Sequence, residues 1–309
     1  MTGHTENGPT LTAMMARTYP HEFELMKKVH ETVSLHDKVC DRPVLAVTLT
    51  NTGESVAPAV VVGIDELLMK IRHDDPALEG REANNPIDHL LDCVYEDIRG
   101  RTGVAVSVIA LPAPVQQVAP SDTAHCGGGP GTFGARVKTL QIPRALLTAG
   151  HAAQTTAAPV YDNSAQKLGS VASTRHCGIT PALQVTSDVA LIELDPATPD
   201  TLRGTPAPTV PGTGHRWDQV SAYGAVTSGQ WSALLTAGGP FANPLGPTYG
   251  DWGQVMITAY PISAPGDSGA PVYNKQDELI GHIVGGNPIL YSIVQDVNYQ
   301  LQEAGATLR

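Results

Sequence analysis

The chain has 309 residues, 41 % of them hydrophobic, and its 30 acidic and 19 basic side chains leave a net charge of −11. That length supplies ample core for two domains, or for one large domain with an extension. The acidic balance and the lack of a basic stripe exclude the usual nucleic-acid binders, and no stretch approaches the ~20 apolar residues that span a bilayer.

Met1 to Asn7 is polar and no apolar core follows it, so Sec export is not expected and a cytoplasmic, reducing setting is the default. Residues 1–20 read as a flexible tail. Glu22 to Val39 reads as a helix, with Phe23, Met26, Val29 and Val33 on one side. Val44 to Leu49 and Ala59 to Val62 read as strands around a turn at Asn51-Thr52-Gly53, and Ile64 to Arg72 as a second helix. Asn85-Pro86 caps and starts a third, whose apolar face is Ile87, Leu90, Leu91, Val94, Tyr95 and Ile98. Val104 to Leu111 is a further strand. Residues 21–111 thus form a small α+β N-terminal domain, with a regulatory or docking role as its expected use.

Residues 112–131 are rich in Pro and Gly and read as a linker or a strap. Charge shifts at the same place: residues 1–124 carry 18 acids and 10 bases, net −8, and the remainder is net −3. From 132 onward the pattern changes to many short strands separated by Gly, Pro and Asn turns, as antiparallel barrels require. Pro196 to Gly214 would join a first barrel, ending near 200, to a second spanning about 215–298. Asp296 to Leu308 could form a closing helix.

Four cysteines stand at 40, 93, 126 and 177. His125-Cys126 and His176-Cys177 admit a zinc site, but adjacent His-Cys pairs lack the usual ligand spacing. A Cys126–Cys177 bridge is a second reading. Free thiols are the expectation, with no metal and no other cofactor.

The chemistry is concentrated in three segments. Gly266-Asp267-Ser268-Gly269-Ala270-Pro271-Val272 sets a serine between glycines before an apolar strand, a turn able to aim backbone N–H groups into an oxyanion-binding concavity. A serine hydroxyl needs a base to take its proton, and the base needs a group that fixes its tautomer. Leu146-Leu147-Thr148-Ala149-Gly150-His151 puts a histidine at a strand end, and Ser187-Asp188-Val189-Ala190-Leu191 puts an aspartate at a strand start. Singly, His151 is more often a structural histidine, Asp188 a turn cap and Ser268 a turn residue. Jointly, the order and gaps point to nucleophilic catalysis. His151 must be neutral to act as base, so activity should rise with pH through the imidazole range.

The order His…Asp…Ser separates this pattern from the α/β-hydrolases, and Ala270 breaks their Gly-x-Ser-x-Gly elbow. Through Thr148-Ala149-Gly150-His151, Asp188-Val189-Ala190-Leu191 and Gly266-Asp267-Ser268-Gly269, residues 130–309 resemble the trypsin/chymotrypsin family of serine peptidases, in its bacterial streptogrisin-like branch. The resemblance implies a mainly β fold of two antiparallel six-stranded barrels. It implies a peptidase domain over 132–309 that cleaves peptide bonds in a protein or peptide substrate. Ser268 would be the nucleophile, His151 the base and Asp188 its orienting carboxylate, with the N–H groups of Gly266 and Ser268 forming the oxyanion hole. Ile262 would floor the specificity pocket, and Val284, Gly285 and Gly286 would line it, which favours small or apolar side chains. Gly285-Gly286 could equally be a plain hairpin turn. Val284 stands where the family commonly has a serine that holds the aspartate, so that hydrogen bond is missing or supplied otherwise. A catalytically weak or inactive binding module is the alternative. Asp267 is expected to meet an internal cation, so that activity does not require removal of the first 130 residues. A regulatory partner docking on the N-terminal domain completes the expected partners, with no nucleic acid and no membrane.

Overall fold

The second half of the chain closes on itself. Strands Gln219–Tyr223, Ser228–Thr236, Val255–Thr258, Tyr291–Asp296, Leu279–Asn287 and Pro271–Asn274 are hydrogen-bonded in that order into an antiparallel six-stranded barrel. Leu279–Asn287 reads as an almost unbroken apolar run and is buried along nearly its whole length. One of its faces lines the barrel and the C-terminal helix Val297–Ala304 packs on the strand. The computed structural model describes residues 10–50, 59–65, 86–111, 124–126, 129–162, 165–182, 184–198, 210–215, 217–236, 238–287 and 289–309.

The preceding segment forms an antiparallel sheet of eight strands rather than six. Its centre is Arg136–Lys138, Ala145–Thr148, Val189–Leu194, Lys167–Arg175 and Pro159–Tyr161, in that order. Two additions extend it. The C-terminal Thr307–Leu308 pairs with Arg136–Lys138, and a hairpin of Ala124–Cys126 with Gly129–Gly131 adds beyond Pro159–Tyr161. That hairpin lies within the stretch expected as a linker, so part of that stretch belongs to the sheet. The whole is an arrangement of two antiparallel sheets, one of eight strands and one closed into a six-stranded barrel.

In the N-terminal region Lys38–Val39, Arg42–Thr50, Ala59–Asp65 and Ser107–Leu111 make a four-stranded sheet. Its last two strands are parallel, as the intervening helix Pro86–Thr102 allows. Ile64 and Asp65 end a strand instead of beginning a helix, while 66–72 fall outside the described residues. The helix expected over 22–39 runs Pro20–Thr32 and stops as Val33 turns extended. Residues 10–20 are not a tail: Thr10 caps a helix Leu11–Thr18 that buries Leu11 and Met15.

Two findings concern connection. Cys40 is bonded to Cys93, contrary to the free thiols expected. Cys40 and Asp41 form a two-residue hairpin with φ of 48° and 62°, and the disulfide ties that hairpin to the helix Pro86–Thr102. A partner 53 residues away leaves no spacing signal. Second, the N-terminal sheet is not insulated from the barrels. One apolar cluster runs from Leu11, Val47 and Ile98 into Phe241, Met256 and Ile293 of the second barrel region. The backbone is continuous as well. Ala46 bridges Phe241, Phe241 exchanges hydrogen bonds of 2.8 and 2.9 Å with Trp252, and Asp251–Trp252 runs parallel to Val185–Thr186. No helix among the described residues is long and apolar enough to cross a membrane.

The first helix docks through its N-terminal amides, which have no partners within the helix. Ala13 N–H donates to Thr10 Oγ1 at 3.2 Å and Thr12 N–H to Gln254 Oε1 at 2.8 Å. Asp296 lies between this helix and the C-terminal one, which it caps by accepting from Tyr299 N–H at 2.7 Å. Burial pushes the Asp296 carboxyl up to about 7, against the pull of the Tyr299, Leu11 and Asn298 amides. In an unfolded chain the same group titrates near ~3.9. Between those values the folded state holds a proton that the unfolded state has lost, so stability falls as pH rises across that window. Asp296→Asn keeps the capping oxygen and cannot ionise. It is expected to flatten the fall and to stabilise the protein at pH 8 by on the order of 1–4 kcal/mol, read from urea unfolding at pH 5 and 8. The same pH dependence in both proteins would show that Asp296 ionises without cost.

Candidate active site

Strand register assembles the first two members. Ala190 pairs with Thr148, which sets Asp188, just before its strand, level with the short 3₁₀ turn Gly150–Ala152 that carries His151. Asp188 Oδ1 accepts from the His151 backbone N–H at 2.8 Å, and Oδ2 lies 2.6 Å from Nδ1. The third comes from the other barrel. Ser268 Oγ lies 2.8 Å from His151 Nε2. The arrangement fixes the tautomer: Nδ1–H donates to the carboxylate, and Nε2 is left to accept from the hydroxyl.

The turn around Ser268 needs its glycines. Gly266 and Gly269 have φ of 106° and 89°, a region L side chains rarely adopt. A Cβ on Gly269 would also fall 2.4 Å from Thr132 O and from Thr148 Oγ1. Asp267 is fully buried beside them, and among the described residues no cation pairs with it, contrary to the internal cation expected. Its oxygens accept from the amides of Val226 (2.8 Å), Thr227 (3.3 Å) and Ala264 (2.9 Å) and from the Thr227 hydroxyl. Neutral donors satisfy it because the loop at 225–227 folds over the turn.

Asp188 is fully buried, and His151 exposes 1 % of its surface. Burial raises the Asp188 pKa, but the His151 charge and hydrogen bonds outweigh it and hold the group below the ordinary carboxylate range. A third donor reaches the carboxylate: Trp252 Nε1–H donates to Oδ2 at 3.1 Å. The Asp188 backbone is fixed too. Its N–H donates to Gln295 Oε1 at 2.7 Å, and its C=O accepts from Gln300 Nε2 at 3.2 Å. Gln300 Oε1 in turn accepts from His282 Nδ1, whose pKa burial lowers to about 4, so that His282 stays neutral.

Trp252, Gln295, Gln300 and Thr227 were not singled out from the sequence. A scarce tryptophan in Gly250-Asp251-Trp252-Gly253 was the one available signal. Of the residues expected to line a pocket, Gly285 and Gly286 lie inside strand Leu279–Asn287, opposite Ile293 and Ser292, so they are not a hairpin turn. Val284 sits at a register shift in that strand and is buried, as is Ile262, whose N–H donates to Ser292 Oγ at 3.0 Å. His176 Nδ1 is taken by Gly178 N–H at 3.1 Å, and the side chains of His125 and Cys126 lie outside the described residues.

The chain is similar to solved structures of serine proteases. Nocardiopsis protease (NAPase) shares 18 % identity over 63 % of this chain and 98 % of its own, with a TM-score of 0.47. A glutamic-acid-specific serine protease that uses a histidine triad in substrate binding shares 17 % over 60 % and 97 %, at 0.47. Cellulomonas bogoriensis chymotrypsin shares 18 % over 63 % and 97 %, at 0.46. No protein-family profile and no curated protein matches the chain.

The short Nδ1–H···Oδ2 contact should be visible in solution without any substrate. A strongly deshielded imidazole N–H proton is expected in the NMR spectrum, protected from exchange by burial, and Asp188→Ala should remove it. Its presence in both proteins would assign it to another group.

Proposed function

We propose that this protein is a serine endopeptidase that hydrolyses peptide bonds through an acyl-enzyme. The observation that carries the reading is the single imidazole bridging a buried carboxylate and a serine hydroxyl at 2.6 and 2.8 Å. Ser268 Oγ attacks the substrate carbonyl carbon while His151 Nε2 takes the hydroxyl proton, and Asp188 stabilises the imidazolium that forms. The amides of Gly266 and Ser268 donate to the oxyanion. Collapse of the tetrahedral adduct breaks the C–N bond, and His151 returns the proton to the departing amine. Water then repeats the sequence on the ester, and the chemistry requires no metal or organic cofactor.

Ile262, Val284, Gly285 and Gly286 are proposed to shape the pocket for a small or apolar side chain before the cleaved bond. The peptidase unit is proposed to span 132–309, with 112–131 as the strap that joins it to the N-terminal unit. The Cys40–Cys93 bond favours an oxidising compartment over the reducing cytoplasm first expected.

A second reading, a binding module without turnover, draws support from the closure of the site: Ser268 is fully buried, so a substrate reaches it only if neighbouring groups move. A fluorophosphonate probe separates the two. The peptidase reading expects covalent labelling that Ser268→Ala abolishes, with peptide-library cleavage after small or apolar residues. Folded protein that takes no label favours the binding module, and cleavage after charged residues contradicts the pocket assignment.

A further inference from the structure

Trp252 has a position that the proposed chemistry does not by itself require. Its indole is fully buried, and its one N–H is spent on Asp188 Oδ2, the same oxygen that receives His151 Nδ1–H. No lysine or arginine pairs with Asp188 among the described residues. Val284, where the resembling family commonly has a hydroxyl for this purpose, offers none. The indole is therefore the one side-chain donor other than His151 that the described residues give this carboxylate.

The strand that bears Trp252 is not an independent piece of the barrel. Phe241 pairs with it on one side, and beyond Phe241 come Leu45 and Ala46 of the N-terminal sheet, with Ala242 N–H donating to Leu45 O at 2.6 Å. On the other side, Trp252 pairs with Thr186, two residues before Asp188. The register is held by polar contacts: Asp251 Oδ1 lies 3.2 Å from His36 Nε2 of the N-terminal region and accepts from Asn243 N–H at 3.0 Å. The fit at this seam is close, since a Cβ on Gly239 would fall 2.4 Å from Val47 O. One backbone ladder thus starts in the N-terminal sheet and ends at the aspartate.

We propose that Trp252 is a positioning residue for Asp188, and that the N-terminal unit is a structural part of the active site because it carries the strand on which that indole is held. This rests on the peptidase reading and makes the N-terminal region a support, where the sequence had pointed to a removable inhibitor or docking module. Removal of the N–H leaves the carboxylate held only by the ring and amide N–H groups of His151, so it is less tightly restrained and the base loses part of its orientation. Substrate contacts are untouched, so the loss belongs in kcat rather than in KM.

The test replaces Trp252 in the full chain by β-(3-benzothienyl)alanine, which keeps the bicyclic shape and lacks the donor, with Trp252→Phe as a second variant. Loss of one charge-assisted hydrogen bond is expected to lower kcat roughly 10- to 100-fold. KM should stay within about twofold, and the thermal midpoint should change far less in the benzothienyl variant than in Trp252→Phe, which also loses volume. The deshielded His151 N–H resonance should shift in both variants, a change that a purely packing role would not produce. Wild-type kcat and an unmoved resonance in the benzothienyl variant would overturn the proposal. So would activity that falls only in step with the folded fraction. Should the wild-type protein itself take no fluorophosphonate label, the peptidase reading fails instead, and the resonance still decides whether Trp252 orients the pair.

Discussion

The structure depends on keeping a carboxylate charged in a place that water does not reach. Asp188 is fully buried and, among the described residues, has no basic partner but an imidazole. Burying an unpaired charge costs several kcal/mol, so each of its oxygens must be given donors. One oxygen takes the His151 amide, and the other takes two ring N–H groups, from His151 and Trp252. The same donors that stabilise the charge fix its direction. Stability of the charge and orientation of the His151 imidazole are therefore one requirement, and neither barrel meets it alone.

Asp267, next to Ser268 in the chain, poses the same problem and is solved in the same way, its partners among the described residues being three amides and a hydroxyl. These donors belong to the loop at 225–227 and to Ala264, so segments of the chain itself hold the turn at Ser268. Asp188 and Asp267 are thus both held by the packing of surrounding segments. For Asp188 those segments include the N-terminal sheet, through Ala46, Phe241 and Trp252, and the apolar cluster that the sheet shares with the second barrel.

What could be read from the sequence was local. The strand ends at His151 and Asp188 and the glycine-bracketed Ser268 carry their meaning in contiguous residues, and the barrels announce themselves as short apolar runs between turn residues. What could not be read was pairing at a distance. Phe241 and Trp252 act through single-residue bridges with no periodicity to detect, and a cysteine pair 53 residues apart has no spacing rule. The missing serine at Val284 signalled that a donor was needed but not where it stood. The helix Leu11–Thr18 was hidden by its small size: eight residues hold together through tertiary contacts with Gln254 and Gly238, not through propensity.

Native-state hydrogen exchange tests the claim that the N-terminal sheet and the aspartate belong to one cooperative unit. The amides that build the ladder, Phe241, Ala242, Trp252 and Gly253, should exchange with the same free energy as those of strand Arg42–Thr50, and that energy should equal the one for global unfolding. Opening of Arg42–Thr50 at markedly lower cost, with Trp252 still protected, would show that the barrels hold Asp188 without it and would contradict the account.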